Sequence, residues 1–174
     1  MSGHDEVDQL IEAWHRERPD LDVSPLQVLS RITRIARHLD IARREAFALH
    51  DLELGEFDVL AALRRSGAPY ALTPSQLVTA TLVTSGTMTH RIDRLEQKRL
   101  VSRTPDPQDG RGVLVELTQH GKSTVDQALT ELLNRERELL RSAKPSDLTA
   151  LENSLRELVL PLDQRASHTG ESTD

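Results

Sequence analysis

The chain has 174 residues, 37 % of them hydrophobic, with four aromatic side chains (Trp14, Phe47, Phe57, Tyr70), no cysteine and a formal net charge of −6. This size suits one domain, or one compact lobe with helical extensions. The absence of cysteine excludes a disulfide scaffold, a zinc finger, an iron–sulfur protein and thiol chemistry.

The first element in chain order is a short helix on which Val7, Leu10, Ile11 and Trp14 form one face, ending before Pro19. Ser24 reads as an N-cap with Pro25 at the first helical position. From Val28 to Leu49 the apolar residues keep a helical period for about seven turns. A third helix covers roughly 53 to 66, and Gly67-Ala-Pro69 stops it. A short extended piece at 70 to 72 leads to Thr73-Pro74-Ser75-Gln76, a capping box with proline at the first helical position, which opens a helix of barely two turns. Thr84 caps the next helix, with Met88, Ile92 and Leu95 inward. Residues 100 to 104 and 112 to 117 are β-like, and the turn formers between them make a hairpin with a long tip. Thr118 caps a helix to about Arg141; Pro145 opens the last one, through Leu148, Leu151, Leu155, Leu158 and Leu162. The polar end from Ala166 is expected to be disordered.

A short helix, a tight turn, a second helix and a hairpin make a winged helix-turn-helix. The expected fold is therefore mainly α with a small β-hairpin. It divides into an extra N-terminal helix (1–22), a helical dimerisation region (23–52 and 118–165), a DNA-binding lobe (53–117) and a tail (166–174). One such lobe buries too little surface to cover the long terminal helices, so their apolar stripes call for a second copy of the chain.

Charge supports a nucleic-acid partner only once it is mapped. Residues 1–22 carry −5 and 145–174 carry −4, leaving 23–144 at +3. At about 100° per residue, the side of the 84–98 helix opposite Met88 presents Gly86, Thr89, His90, Asp93, Arg94 and Gln97, with Thr87 at its edge. Small hydroxylated residues let a backbone approach a groove closely. Arg111, flanked by Gly110 and Gly112 at the hairpin tip, suits insertion into a narrow minor groove. The expected DNA contacts are Ser75, Ser85, Thr87, Thr89, His90, Arg94 and Arg111.

The segments Leu95-Glu-Gln-Lys-Arg-Leu-Val-Ser-Arg103, Asp106-Pro-Gln-Asp-Gly-Arg111 and Val113-Leu-Val-Glu-Leu-Thr-Gln-His-Gly121 resemble the MarR family of bacterial winged-helix regulators. The similarity extends over about 25 to 165. It departs at Gly110, where the family usually has arginine. The resemblance implies an obligate dimer with one recognition helix per half-site in the major groove, one wing in the minor groove, and repression relieved by a ligand. The first helix, with Ala13-Trp-His-Arg-Glu-Arg-Pro-Asp20 and Glu56-Phe-Asp-Val-Leu-Ala-Ala-Leu-Arg-Arg-Ser-Gly67, resembles the family's urate-responsive branch. That narrower likeness implies a ligand set of Trp14, Asp58, Arg65 and Arg91, with Arg103 linking the pocket to the DNA-binding lobe.

Asp58 and Arg65, two turns apart, share one helix flank about 10 Å apart, with the small Ala62 between them. Arg91 projects about 60° from the core centre of its helix, either toward a ligand or toward an acid such as Asp58. Trp14 serves equally well as a core anchor. Two arginines and a tryptophan favour a flat or multiply charged organic anion, such as urate, a related purine, citrate or trans-aconitate. No metal or other cofactor is expected.

Two other classes fit less well. The seven histidines show no i, i+4 pair, and neither a phosphate loop nor a nucleophile elbow is present, so an enzyme is not expected. A winged-helix module that binds only proteins is the alternative to a DNA-binding regulator. No run approaches the roughly 18 apolar residues of a membrane span, and the start lacks a secretory signal, so a cytoplasmic location is expected.

Overall fold

The computed structural model describes residues 3–107 and 112–169. The chain divides into two units, 1–136 and 137–174.

In the first unit, α1 (Glu6–Glu17) begins at a reciprocal cap. The Asp5 carboxylate accepts the Val7 and Asp8 N–H groups at 2.8 and 3.0 Å, and Asp8 accepts the Asp5 N–H at 2.9 Å. Helix α1 lies on α2 (Ser24–Ala48), where Val7, Ile11 and Val23 form a small core of their own. Leu10 and Trp14, on the same apolar face of the helix, stay 41 % and 44 % exposed. Trp14 thus lies outside the small core that Val7, Ile11 and Val23 form.

The cap predicted at Ser24 shifts by one residue. Val23 is the N-cap and bonds nothing through its side chain, while the Ser24 N–H and hydroxyl both donate to Asp22. The ionised Asp22 carboxylate two residues upstream takes both donors and fixes the serine just inside the helix, so the position before it, Val23, becomes the cap.

Arg31 on α2 holds α1 down, donating to Asp5 Oδ2 at 2.8 Å and Asp8 Oδ1 at 2.7 Å. These bonds lower the Asp5 carboxyl from 3.8 to about 2. A carboxylate whose folded pKa lies below its unfolded value stabilises the folded form at neutral pH and loses that effect as pH falls through the folded pKa. Release of α1, followed by the fluorescence of Trp14, the chain's one tryptophan, is expected as pH falls between about 4 and about 2. Arg31→Ala should move its midpoint toward the ordinary carboxylate range.

The main core joins the end of α2 to α3 (Leu54–Arg65), α4 (Pro74–Thr81), α5 (Ser85–Gln97), the sheet and α6 (Gln119–Leu140). The rings of Phe47 and Phe57 stack 4.0 Å apart. Leu60, Leu63, Leu77, Met88, Ile92 and Leu95 are nearly free of solvent, as the inward period of α5 predicts. The hairpin β2 (Val101–Pro105) and β3 (Val113–Leu117) gains a third strand, β1 (Ala71–Leu72), in the antiparallel order β1-β3-β2. Arg103 pairs with Val115 across the wing. The Thr118 hydroxyl accepts the Gly121 N–H at 2.9 Å and reaches the Arg99 carbonyl at 2.8 Å, tying the start of α6 to the end of the α5 segment.

The second unit contains the end of α6 and α7 (Pro145–Thr169). Leu151, Leu155, Leu158 and Leu162 lie along α7 and are exposed. Within one chain the boundary between the two units follows Glu136. Helix also continues through Thr169, beyond the Ala166 at which a tail was expected; residues 170–174 lie outside the described residues.

Candidate nucleic-acid interface and effector site

Helices α4 and α5 are joined by three residues, Leu82 to Thr84, in the tight turn that a helix-turn-helix requires. Thr73 caps α4 by accepting the Gln76 N–H at 3.2 Å, and the Gln76 side chain accepts the Thr73 N–H at 2.8 Å. Thr84 caps α5 through the Thr87 N–H. Ser75 at the start of α4 and Ser85, Gly86, Thr87, Thr89 and His90 on α5 are all exposed. The Thr89 hydroxyl donates to the Ser85 carbonyl at 3.0 Å, so its outer lone pairs remain available. This is the small, hydroxylated face the sequence predicts. Arg111, the expected wing contact, lies outside the described residues.

Arg94 does not point outward with that face. Its guanidinium turns back to α3, 2.6 Å from Glu53 Oε1 and 3.1 Å from Glu56 Oε1. The hydrogen bond from Arg94 holds the Glu53 carboxyl below its ordinary range. The α3 acids fall outside any single-helix projection, which is why the sequence placement of Arg94 missed them.

Glu56 is the unforeseen residue here. It is 1 % exposed, and its Oε2 accepts the Lys98 ammonium at 3.0 Å and the Glu53 N–H at 2.8 Å. Its Oε1 faces Arg94 Nε without hydrogen-bond alignment. On the other flank of α5, Arg103 from the wing strand donates to Asp93 at 2.5 Å and also bonds Glu96. Carboxylates of α3 and an arginine of β2 thus grip the recognition helix from two sides. Arg103, inferred as a link between pocket and lobe, bridges wing and recognition helix.

The inferred effector residues lie apart in one chain. Asp58 and Arg65 are exposed, Trp14 is half exposed, and Ala62 between the α3 pair is packed into the core rather than leaving a gap. Cavities of about 550, 430, 360 and 340 Å³ open among the described residues at other places, lined by none of Trp14, Asp58, Arg65 and Arg91. Arg91 lies instead over the first turn of α3. A Cβ built on Gly55 would fall 2.4 Å from its Cζ, so the glycine is what admits the guanidinium. Arg91 Nη1 is buried with no hydrogen-bond partner, at the positive end of a helix. A cavity of about 360 Å³ lined by Arg44 and Leu52 to Gly55 opens beside the same turn. Glycine at the third residue of the predicted helix, where it weakens propensity, was the available signal.

No group of three metal-ligating side chains occurs among the described residues, and no described helix is long and apolar enough to cross a membrane.

The exposed start of α5, the two-sided grip on that helix and the adjoining β-wing define a winged helix-turn-helix protein of the DNA-binding class. Residues 50–112 match the profile of the MarR family. The chain is 38 % identical over 151 residues to the HTH-type transcriptional regulator PecS of Dickeya dadantii, covering 87 % of this chain and 91 % of that protein. It is 34 % identical over 113 residues to the multiple antibiotic resistance protein MarR of Escherichia coli, covering 64 % of this chain and 75 % of that one. A crystal structure of a mutant E. coli MarR complexed with operator DNA superposes with a TM-score of 0.64 at 28 % identity, over 79 % of this chain and 99 % of that chain. The chain belongs to the MarR family and is a DNA-binding transcriptional regulator.

Proposed function

We propose that this regulator is a repressor which binds a near-palindromic operator as a homodimer and is released by a small organic anion. The observation that carries the effector half is the buried, unpartnered Nη1 of Arg91 beside the first turn of α3. A buried donor without a partner is costly, and an arriving carboxylate or urate-type oxygen would satisfy it. Arg91 sits on the recognition helix, so an anion that draws it away from Gly55 changes how α5 meets α3. That links effector to DNA through one side chain, with a coupling of roughly 1 to 3 kcal/mol expected. Trp14, Asp58 and Arg65 are exposed in one chain; in this reading they complete the site once the chain is dimeric, with Arg103 carrying the change to the wing.

The dimer half rests on apolar stripes that one chain leaves in solvent: Val28, Leu29 and Ile35 on α2, and Leu151, Leu155 and Leu158 on α7, are 37 % to 60 % exposed. A second copy covers such stripes on both chains at once. Ser75, Ser85, Thr87, Thr89 and His90 are then the DNA-facing residues, with Arg111 in the minor groove and Arg94 bracing α5.

The test is a gel-shift titration at fixed salt with a duplex selected from genomic fragments by the purified protein. Urate, xanthine, citrate or trans-aconitate at millimolar concentration should weaken the complex, and Arg91→Ala should blunt that response more than it weakens DNA binding. If no anion changes the titration, the effector assignment fails and the operator assignment stands. Equal loss of both functions in Arg91→Ala points to a structural role for that residue.

A further inference from the structure

Leu82 is 92 % exposed and sits in the left-handed region, φ +54°, as the C-cap of α4. Both facts work against leucine in a folded chain. The left-handed conformation favours glycine or asparagine, and a leucine bared to water recovers nothing by burial. Apart from the half-exposed Val113 on the wing, Leu82 is the one large apolar side chain of the reading lobe left in solvent among the described residues. The chain's own fold leaves it uncovered. It precedes the Thr84 cap by two residues, and the next exposed positions are Ser85, Gly86 and Thr87. Val83, between Leu82 and the cap, packs against the core, so the turn throws Leu82 outward.

The occupant follows from continuity with the DNA-facing surface, and the inference rests on that reading. The first residues of a recognition helix are those that reach base edges. Polar atoms dominate those edges in the major groove, where the thymine C5-methyl is the apolar group on display. We propose that Leu82 is a specificity-determining residue that covers thymine methyl groups at the rim of each half-site, adding an apolar readout to the hydroxyl and imidazole contacts of α5.

The test uses the full-length protein and a 30-bp duplex that it selects from a random pool, synthesised once with thymine and once with deoxyuridine throughout. Leu82→Gly should melt about 2 to 4 °C higher than the unmodified chain, because glycine relieves the left-handed strain. The same variant, and Leu82→Ala, should bind the thymine duplex about fivefold to tenfold more weakly. On the uracil duplex, which lacks the methyl groups, all three proteins should bind within about twofold of one another. A purely structural role predicts the reverse pairing, lower melting together with weaker binding on both duplexes. The proposal is overturned if the variants match the unmodified chain on thymine DNA, or if they lose as much affinity on uracil DNA as on thymine DNA. Failure of the unmodified protein to select any duplex is a separate result and removes the DNA-binding reading itself.

Discussion

Gly121→Ala is expected to lower the unfolding free energy by about 3 kcal/mol, at the upper end of the usual cost of overpacking, and the melting temperature by about 6 to 12 °C. Gly121 lies in the first turn of α6, and a Cβ there would stand 1.9 Å from the Leu100 carbonyl oxygen and 2.8 Å from its carbon. The obstacle is backbone, immediately before β2, and that same backbone is tied to α6 by the Thr118 hydroxyl. A flexible side chain could swing aside; this carbonyl cannot move without dragging the end of the α5 segment with it. DNA affinity should therefore fall even at temperatures where the variant is folded, whereas Thr118→Ala, which removes a cap and leaves the close approach intact, should cost only about 1 kcal/mol. Calorimetric melting of both variants checks this. Alanine at 121 melting within a degree of the unmodified chain would show that the two backbones are not in contact.

The fold was legible where one periodic signal served one purpose. Met88, Ile92 and Leu95 recur at helical spacing because α5 has a single buried side, and they are buried. The Thr73 capping box and the Thr84 and Thr118 caps were readable because capping is local chemistry decided within three or four residues. Pairing of Ala71 with Glu116 was not, since two residues carry no period and the partner strand lies far along the chain. The face of α1 was legible, but not its surroundings: Val7 and Ile11 are buried, while Leu10 and Trp14 are left open.

The candidate site was legible in its outward face and opaque in its supports. Small and hydroxylated residues on one side of α5 can be read by projection. Projection ranks Arg94 by angle alone, however, and a long flexible side chain goes to the strongest partner within reach. Here that partner is the acid pair Glu53 and Glu56, 41 and 38 positions upstream. Glu56 itself was passed over because an acid among Phe57, Val59 and Leu60 looks like a solvent-facing position, and only tertiary placement shows it sealed beneath two cations. Gly55 and Gly121 act through a neighbour's approach, which composition cannot register.

The grip of α3 on α5 sets up a contrast in salt dependence. In Lys98→Met the Glu56 carboxylate stays buried but loses the ammonium 3.0 Å away, and its Oε2 keeps only the Glu53 N–H. An under-compensated buried carboxylate should cost about 2 to 3 kcal/mol of stability at neutral pH. Adding Glu56→Gln should return part of that loss, giving a coupling energy of about 1 to 2 kcal/mol in the double-mutant cycle. Because Lys98 and Arg94 are engaged by the carboxylates of Glu53 and Glu56, Lys98→Met and Arg94→Met should weaken operator binding while leaving the slope of log affinity against log salt unchanged. Arg111→Ala, by contrast, should reduce that slope by about 1. Fluorescence anisotropy at four salt concentrations separates the two outcomes. A slope that falls by one for Arg94→Met would mean that its guanidinium leaves Glu53 and Glu56 for a phosphate when DNA arrives, making the α3 acids a counter-charge that the operator must displace.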